Sequence, residues 1–278
     1  MKLYETFLEE DLPFFEPDGK VGLLATTDDN GLPHLTLITA MQATDPSHLV
    51  FGQFCEGRGK VNAEKNRHAG FLIMTLDKVL WRGEADWTHK ANTGKEHTMF
   101  NTKPMWRYNS YFGIHTVHYL DLVGTTRSEK LPIGKIIAGV LKAALMKGKF
   151  GNKGAPEAMN RWTRAFISKT GNLKFLSFTK DDGYPVIIPC LSAAAVDGST
   201  VYIPGTEYHD EISRVPDGTA ACLFTMSLDM EDVVVRGTFH SAGGGGTLSV
   251  DWVYNSMPPV AKQIYPPVPA NAKVEEFE

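Results

Sequence analysis

The sequence predicts a mainly β chain with helices, an α+β arrangement of two tandem antiparallel barrels joined by a helical segment. Three observations predict it. Residues 23–39 (LLATTDDNGLPHLTLIT) and 175–190 (FLSFTKDDGYPVIIPC) share one pattern of apolar run, polar turn, proline and second apolar run, with Gly31 and Gly183 152 positions apart. A second echo relates 71–85 (FLIMTLDKVLWRGEA) to 222–239 (CLFTMSLDMEDVVVRGTF), with Arg82-Gly83 matching Arg236-Gly237 at an offset of 154. Self-similarity at a near-constant offset marks a repeated unit. Between the copies, Ile133, Ile136, Ile137, Val140, Leu141, Ala144 and Leu145 recur at helical spacing.

Taken in order, residues 3–12 are expected as a short helix stopped at Pro13. Gly19 and Gly22 lead into a first strand. The DDNG turn (28–31) is a hairpin signal, because Asn-Gly accepts the positive φ such turns require. Pro33 suits a strand start, and His34–Met41 is read as the next strand. Asp45-Pro46 turns the chain into HLVFGQF (48–54). EGRGK (56–60) is a loop, VNAEKNRH (61–68) a short helix, and 70–76 and 79–86 are strands. Residues 87–130 form an aromatic insert, with Ile114–Val123 as a further strand. The helical stripe follows Pro132, and a second helix begins near Pro156, where a proline's missing N–H is harmless, and closes at Gly171. Strands then run to about residue 252, GGGG (243–246) is a loop, and the proline-rich tail is extended. Short strands with closely spaced turn signals indicate antiparallel barrels, not βαβ units. The expected divisions are 1–130, a barrel with the insert; 131–170, a helical connector; 171–257, a second, degenerate barrel; and 258–278, an extended tail.

Composition narrows the function. With 278 residues, 42% hydrophobic and 22% charged, the chain can build real cores. A net charge of −4 leaves no broad basic field, so nucleic acid is not an expected partner. Cys55, Cys190 and Cys222 are scattered, which fits neither a disulfide framework nor a cysteine zinc site. The acidic N-terminus lacks a signal-peptide core, and no apolar run spans a bilayer. A cytoplasmic location with no membrane partner is expected.

The segment with the most chemistry is EGRGKVNAEKNR (56–67). Arg58 and Lys60 stand in a glycine-flanked loop opening a helix, where a phosphate can approach closely and meet the positive helix end. A solvated basic loop is the plain alternative. His115 and His118, three apart on a strand, face opposite sides, so no metal site is expected. Neither a G-x-S-x-G elbow nor a P-loop is present.

The order of parts resembles the pyridoxamine 5'-phosphate oxidase-like family of FMN-binding split barrels. A-T-T-D-x-x-G-x-P-H (25–34), L-V-F (49–51), the basic loop, the short helix and Asn66 carry the resemblance, with a weaker version over 173–240. It implies paired split barrels with FMN in the groove between them. Lys60, helped by Arg58, would hold the flavin phosphate, and Asn62 would donate to the phosphate or ribityl chain. Thr36, Leu37, Ile38 and Thr39 would run beside the ring, with Gln53 and Phe54 facing the same groove. His34, Arg107, Tyr108, Asn109 and Tyr111 are candidates for a substrate wall; the insert could equally be interdomain packing, the role read for Trp106 and Phe112. The family's additional arginine after G-x-P is replaced by His34-Leu35-Thr36-Leu37, which speaks against vitamin B6 oxidation. The second copy carries Glu207, Asp210 and Glu211 where the first has its cations, so one site per chain is expected. The implied function is an FMN-dependent oxidoreductase acting through flavin N5 on a small molecule or electron donor; a non-catalytic flavin or haem carrier is the alternative. The chain would be an internal pseudo-dimer, unless two chains pair first copy to first copy in a homodimer.

Overall fold

The computed structural model describes residues 1–107, 113–146, 148–151, 154–229, 231–255 and 262–266. The first sheet contains β1 (Lys20–Thr27), β2 (Pro33–Leu37), β3 (Met41–Asp45), β4 (His48–Gln53), β5 (His68–Thr75), β6 (Val79–Ala91), β7 (Thr116–Thr125) and β8 (Glu129–Lys130). The second contains β9 (Leu173–Thr179), β10 (Pro185–Pro189), β11 (Ala194–Ala195), β12 (Thr200–Ile203), β13 (Ala220–Met226), β14 (Asp232–Ala242), β15 (Gly245–Asn255) and β16 (Lys262–Tyr265). The strand orders are β2-β1-β5-β6-β7-β4-β3 and β10-β9-β13-β14-β15-β12-β11. They match strand for strand, and every pairing between these strands is antiparallel. The fold is therefore the expected one: mainly β with helices, two split barrels in tandem.

The sequence echoes have physical causes. Gly31 and Gly183 both adopt positive φ (76° and 87°) at the tips of equivalent hairpins. Gly83 and Gly237 sit where a Cβ would strike the neighbouring strand's backbone, at Gly124 and at Ser249. Each follows a buried or half-buried arginine that reaches the other sheet, Arg82 at Ile187 O and Arg236 at Asp28.

The two sheets meet as an isologous pair would. Thr27 and its counterpart Thr179 share a hydrogen bond of 2.8 Å, as residues on a two-fold axis can. β5 packs on β10, and its equivalent β13 packs on β2. Each sheet has an interior core of its own, around Phe51, Phe71 and Trp81 in the first and Leu176, Leu223 and Phe239 in the second. A third apolar cluster is shared across the seam by Leu23, Leu35 and Leu72 with Phe175, Phe224 and Trp252.

Helices fill the connections: α1 (Arg58–Lys65), α2 (Lys95–Thr102), α3 (Pro104–Arg107), α4 (Ile133–Met146), α5 (Arg161–Ser168) and α6 (His209–Ile212). Three expectations are corrected. The N-terminal helix is a short 3-10 stretch over Glu9–Phe15 that runs through Pro13 instead of stopping there. The single strand expected over His34–Met41 is two strands: Ile38 N–H makes the last ladder bond, to Gly22 O, and a turn at Thr39–Ala40 separates β2 from β3. Within the stretch expected as an extended tail, β16 pairs with β15, and Gln263 Oε1 accepts a 2.6 Å bond from Trp252 Nε1.

Candidate functional site

α1 begins at Gly57, whose extended backbone (φ −165°) serves as a cap without a side-chain hydrogen bond. The first-turn N–H groups therefore lack the oxygen that Ser, Thr or Asp would bring. Gly59 lets the helix press onto β2, since a Cβ there would collide with Thr36 Oγ1. That hydroxyl is itself buried without a hydrogen-bond partner.

Arg58 and Lys60 leave this turn in different directions, as side chains two apart on a helix must. Arg58 reaches the seam. Its guanidinium lies 5.5 Å from the ring centre of Trp252 and 5.8 Å from that of Tyr254, two rings stacked 5.3 Å apart on β15. Arg236 approaches the same Trp252 ring at 4.4 Å and meets Asp28 Oδ2 at 3.3 Å. A pocket of about 450 Å³ opens here. Its wall combines Asp28, Asp29 and Asn30 of the β1–β2 turn, Arg58, Val61, Asn62 and Lys65 of α1, and Tyr254 and Gln263 of the second sheet. Asn62 donates to Thr26 Oγ1 at 3.3 Å, and Lys65 is paired with Asp29.

Lys60 is only 6% exposed, and its side chain makes no hydrogen bond or ion pair among the described residues. Burial lowers its pKa, against the opposing pull of Cys55 and Glu56. Its charge also acts on His118 of β7. Trp87 Nε1 donates to His118 Nδ1 at 3.1 Å, so the proton sits on Nε2, which donates to Gln53 Oε1 at 2.5 Å. Burial, with Lys60 and Lys90 adding to it against Glu64, holds the His118 pKa at about 4.

The remaining expected site residues divide. Phe54 is partly exposed, with its ring 5.3 Å from Trp106, which is buried with Phe100 and Ile114 in the packing role expected for it. Leu37 ends β2 and packs toward the seam cluster. Ile38 and Thr39 lie beyond the strand, and Ile38 is committed to the first core beside Leu24 and Met41. His34 is 1% exposed, edge-on to Trp252 and Tyr254, and is not part of the pocket wall. Burial, aided by Arg58 and Arg236, pushes its pKa to about 3. A ring that stays neutral and shielded is a poor substrate contact or proton relay. Arg107 ends α3 and is exposed; Tyr108, Asn109, Tyr111 and Phe112 lie outside the described residues. Sequence reasoning missed Trp252, Tyr254, Arg236 and Asp28. Arg236 had a signal in its match to Arg82, and Asp28 in its place in the A-T-T-D-x-x-G motif.

The second copy closes the equivalent place. Arg82 crosses the seam to α6, where both guanidinium NH groups meet Glu211 at 2.7 and 2.8 Å, and it adds Ile187 O at 2.9 Å and Glu129 at 3.2 Å. Glu207 is buried and accepts bonds from Ser192 and Thr206. Where the first copy presents a buried cation without a counter-ion among the described residues, the second carries its own carboxylates.

No family model and no curated protein matches the chain. Among solved structures, it is similar to a putative pyridoxamine 5'-phosphate oxidase from Lactobacillus delbrueckii (18% identity, TM-score 0.36, covering 45% of this chain and 99% of that one). It is also similar to an FMN-binding protein from Syntrophomonas wolfei (12%, TM-score 0.34, 40% and 77%) and to HupZ from Group A Streptococcus (13%, TM-score 0.36, 43% and 91%). Each of these matches takes in less than half of this chain. At such scores the likeness carries no argument about ligand or activity, and the site must be judged on its own geometry.

Proposed function

We propose that this chain binds one FMN between α1, β2 and the second sheet and acts as an oxidoreductase on a small molecule. The observation that carries the reading is Lys60, a largely buried side chain whose ammonium has no counter-ion among the described residues, beside the uncapped first turn of α1. An isolated buried charge is costly, and a phosphate would relieve that cost while accepting from the free N–H groups. Bound FMN would supply hydride or electron transfer at N5. The chain's own part is to hold, orient and shield. Lys60 and the α1 N-terminus hold the phosphate. Asn62 and Arg58 line the adjoining pocket, and Tyr254, stacked on Trp252, walls it from the second sheet. Asp28 keeps Arg236 in place.

Lys60→Met is expected to weaken FMN binding by about ten- to a hundred-fold, the loss of one charge-assisted hydrogen bond, while riboflavin binding stays unchanged. The apo-protein should be no less stable, because an unpaired buried charge has been removed. Arg58→Ala should weaken FMN and riboflavin alike, since Arg58 faces the ring-stacked seam. Titration of both flavins by fluorescence reads all of this, and unchanged FMN affinity in Lys60→Met would sink the assignment. Bleaching of bound flavin by NADH or NADPH, followed by reoxidation with an acceptor, separates an enzyme from a carrier.

A further inference from the structure

We infer that α4 is a docking element that lays the protein on a lipid surface bearing anionic headgroups. The inner side of α4 is firmly seated. Gly139 and Ala143 are buried, a Cβ at Gly139 would collide with Thr206 and Ser192, and Ile136 packs on the seam cluster. Lys142 Nζ donates to Pro204 O at 2.7 Å and Gly243 O at 2.8 Å. The outer side is apolar. Ile133, Ile137, Leu141 and Leu145, one turn apart along a single ridge, are 46%, 57%, 62% and 85% exposed. Gly134, Ala138 and Ala144 fill the space between them, so the solvent-facing pole of the helix carries no charged or polar side chain. A contiguous ridge of this kind is unusual on a protein surface and marks an interaction site.

Charge decides what covers it. The stretch 133–169 holds eight lysines and arginines against the single acid Glu157, in a chain whose net charge is −4. Lys135 and Lys149 are exposed. A second copy seated on this face would bring like charges together, whereas anionic headgroups complement them. An apolar ridge flanked by lysines is how a helix lies in a membrane interface, and at 14 residues, about 21 Å, α4 is too short to span one. This departs from the sequence-based expectation of no membrane partner, which rested on the lack of a signal-peptide core and of a spanning apolar run.

The test uses the full chain in flotation with vesicles of phosphatidylcholine mixed with phosphatidylglycerol, against pure phosphatidylcholine. Binding to the mixed vesicles only, weakened by salt, is expected. Leu141→Glu with Leu145→Glu should weaken it by about a hundred-fold, two buried leucines' worth. Lys135→Glu with Lys149→Glu should weaken it by about ten-fold, leaving the ridge intact. All four positions are exposed, so unchanged circular dichroism is expected of both variants. Equal binding to neutral vesicles overturns the anionic specificity. Absence of vesicle binding overturns the proposal; if self-association in size-exclusion chromatography is then lost in the leucine variant, a second copy covers the face instead.

Discussion

Glu211→Ala is expected to destabilise the protein by about 3–5 kcal/mol, the usual consequence of removing one partner of a buried ion pair. Arg82 is 2% exposed, and Glu211 takes two of its hydrogen bonds. Burial by itself would lower the Arg82 pKa, but the bonds and charge of Glu211, with Glu129 and Tyr208, raise it above the ordinary value. Without Glu211 the guanidinium keeps Ile187 O and the more exposed Glu129, whose contacts are longer at 3.2 and 3.3 Å. The loss falls on the seam, because Arg82 belongs to β6 while Glu211 and Ile187 belong to the second copy. Urea unfolding should therefore show a lower midpoint. Adding Arg82→Met to Glu211→Ala should restore part of the loss, since the orphaned charge disappears with it. A loss below about 1 kcal/mol for Glu211→Ala would place this cluster with ordinary surface pairs.

Much of this architecture was legible in the sequence, because it rests on local chemistry. Gly31 and Gly183 announce their hairpins through the positive φ those turns demand, and the Arg-Gly echo survives because the neighbouring strand leaves no room at Gly83 and Gly237. Lys60 and Asn62 were legible because a basic, glycine-flanked helix start is a local pattern. What the sequence hid is everything set by the seam. Trp252 and Tyr254 look like ordinary strand residues until β15 is laid against α1 and β2. Arg58 and Lys60 read as one cradle, yet helix geometry sends Arg58 to the seam while Lys60 turns back toward Gly57 at the start of α1. Ile38 and Thr39 read as strand residues, but the β1–β2 ladder makes its last bond at Ile38 and the chain turns at Thr39–Ala40. The exposed ridge of α4 was legible as a helix and illegible as a surface, since periodicity does not say which apolar face is left uncovered.

Acid should destabilise the protein through His34 more than through any other histidine. Its folded pKa is about 3, set by burial and then by Arg58 and Arg236, against about 6.5 when unfolded. The sign follows from proton counting. Below about pH 6.5 the unfolded chain takes up a proton that the folded chain refuses, so stability falls as pH drops toward 3. The full span amounts to roughly 4–5 kcal/mol, and about 3 kcal/mol of it is lost by pH 4. His118, held near 4, adds a smaller loss of the same sign. His34 Nδ1 has no hydrogen-bond partner, so His34→Leu removes no bond from that atom and takes away the proton acceptor. The variant's stability should decline less steeply than the wild type's between pH 6.5 and 4, with the carboxylate contributions common to both. Parallel slopes would mean that the ring is reached by water in the folded state. A neutral, shielded His34 also means that a pH profile of any flavin reaction should lack a His34 limb, leaving proton delivery to groups that the pocket exposes.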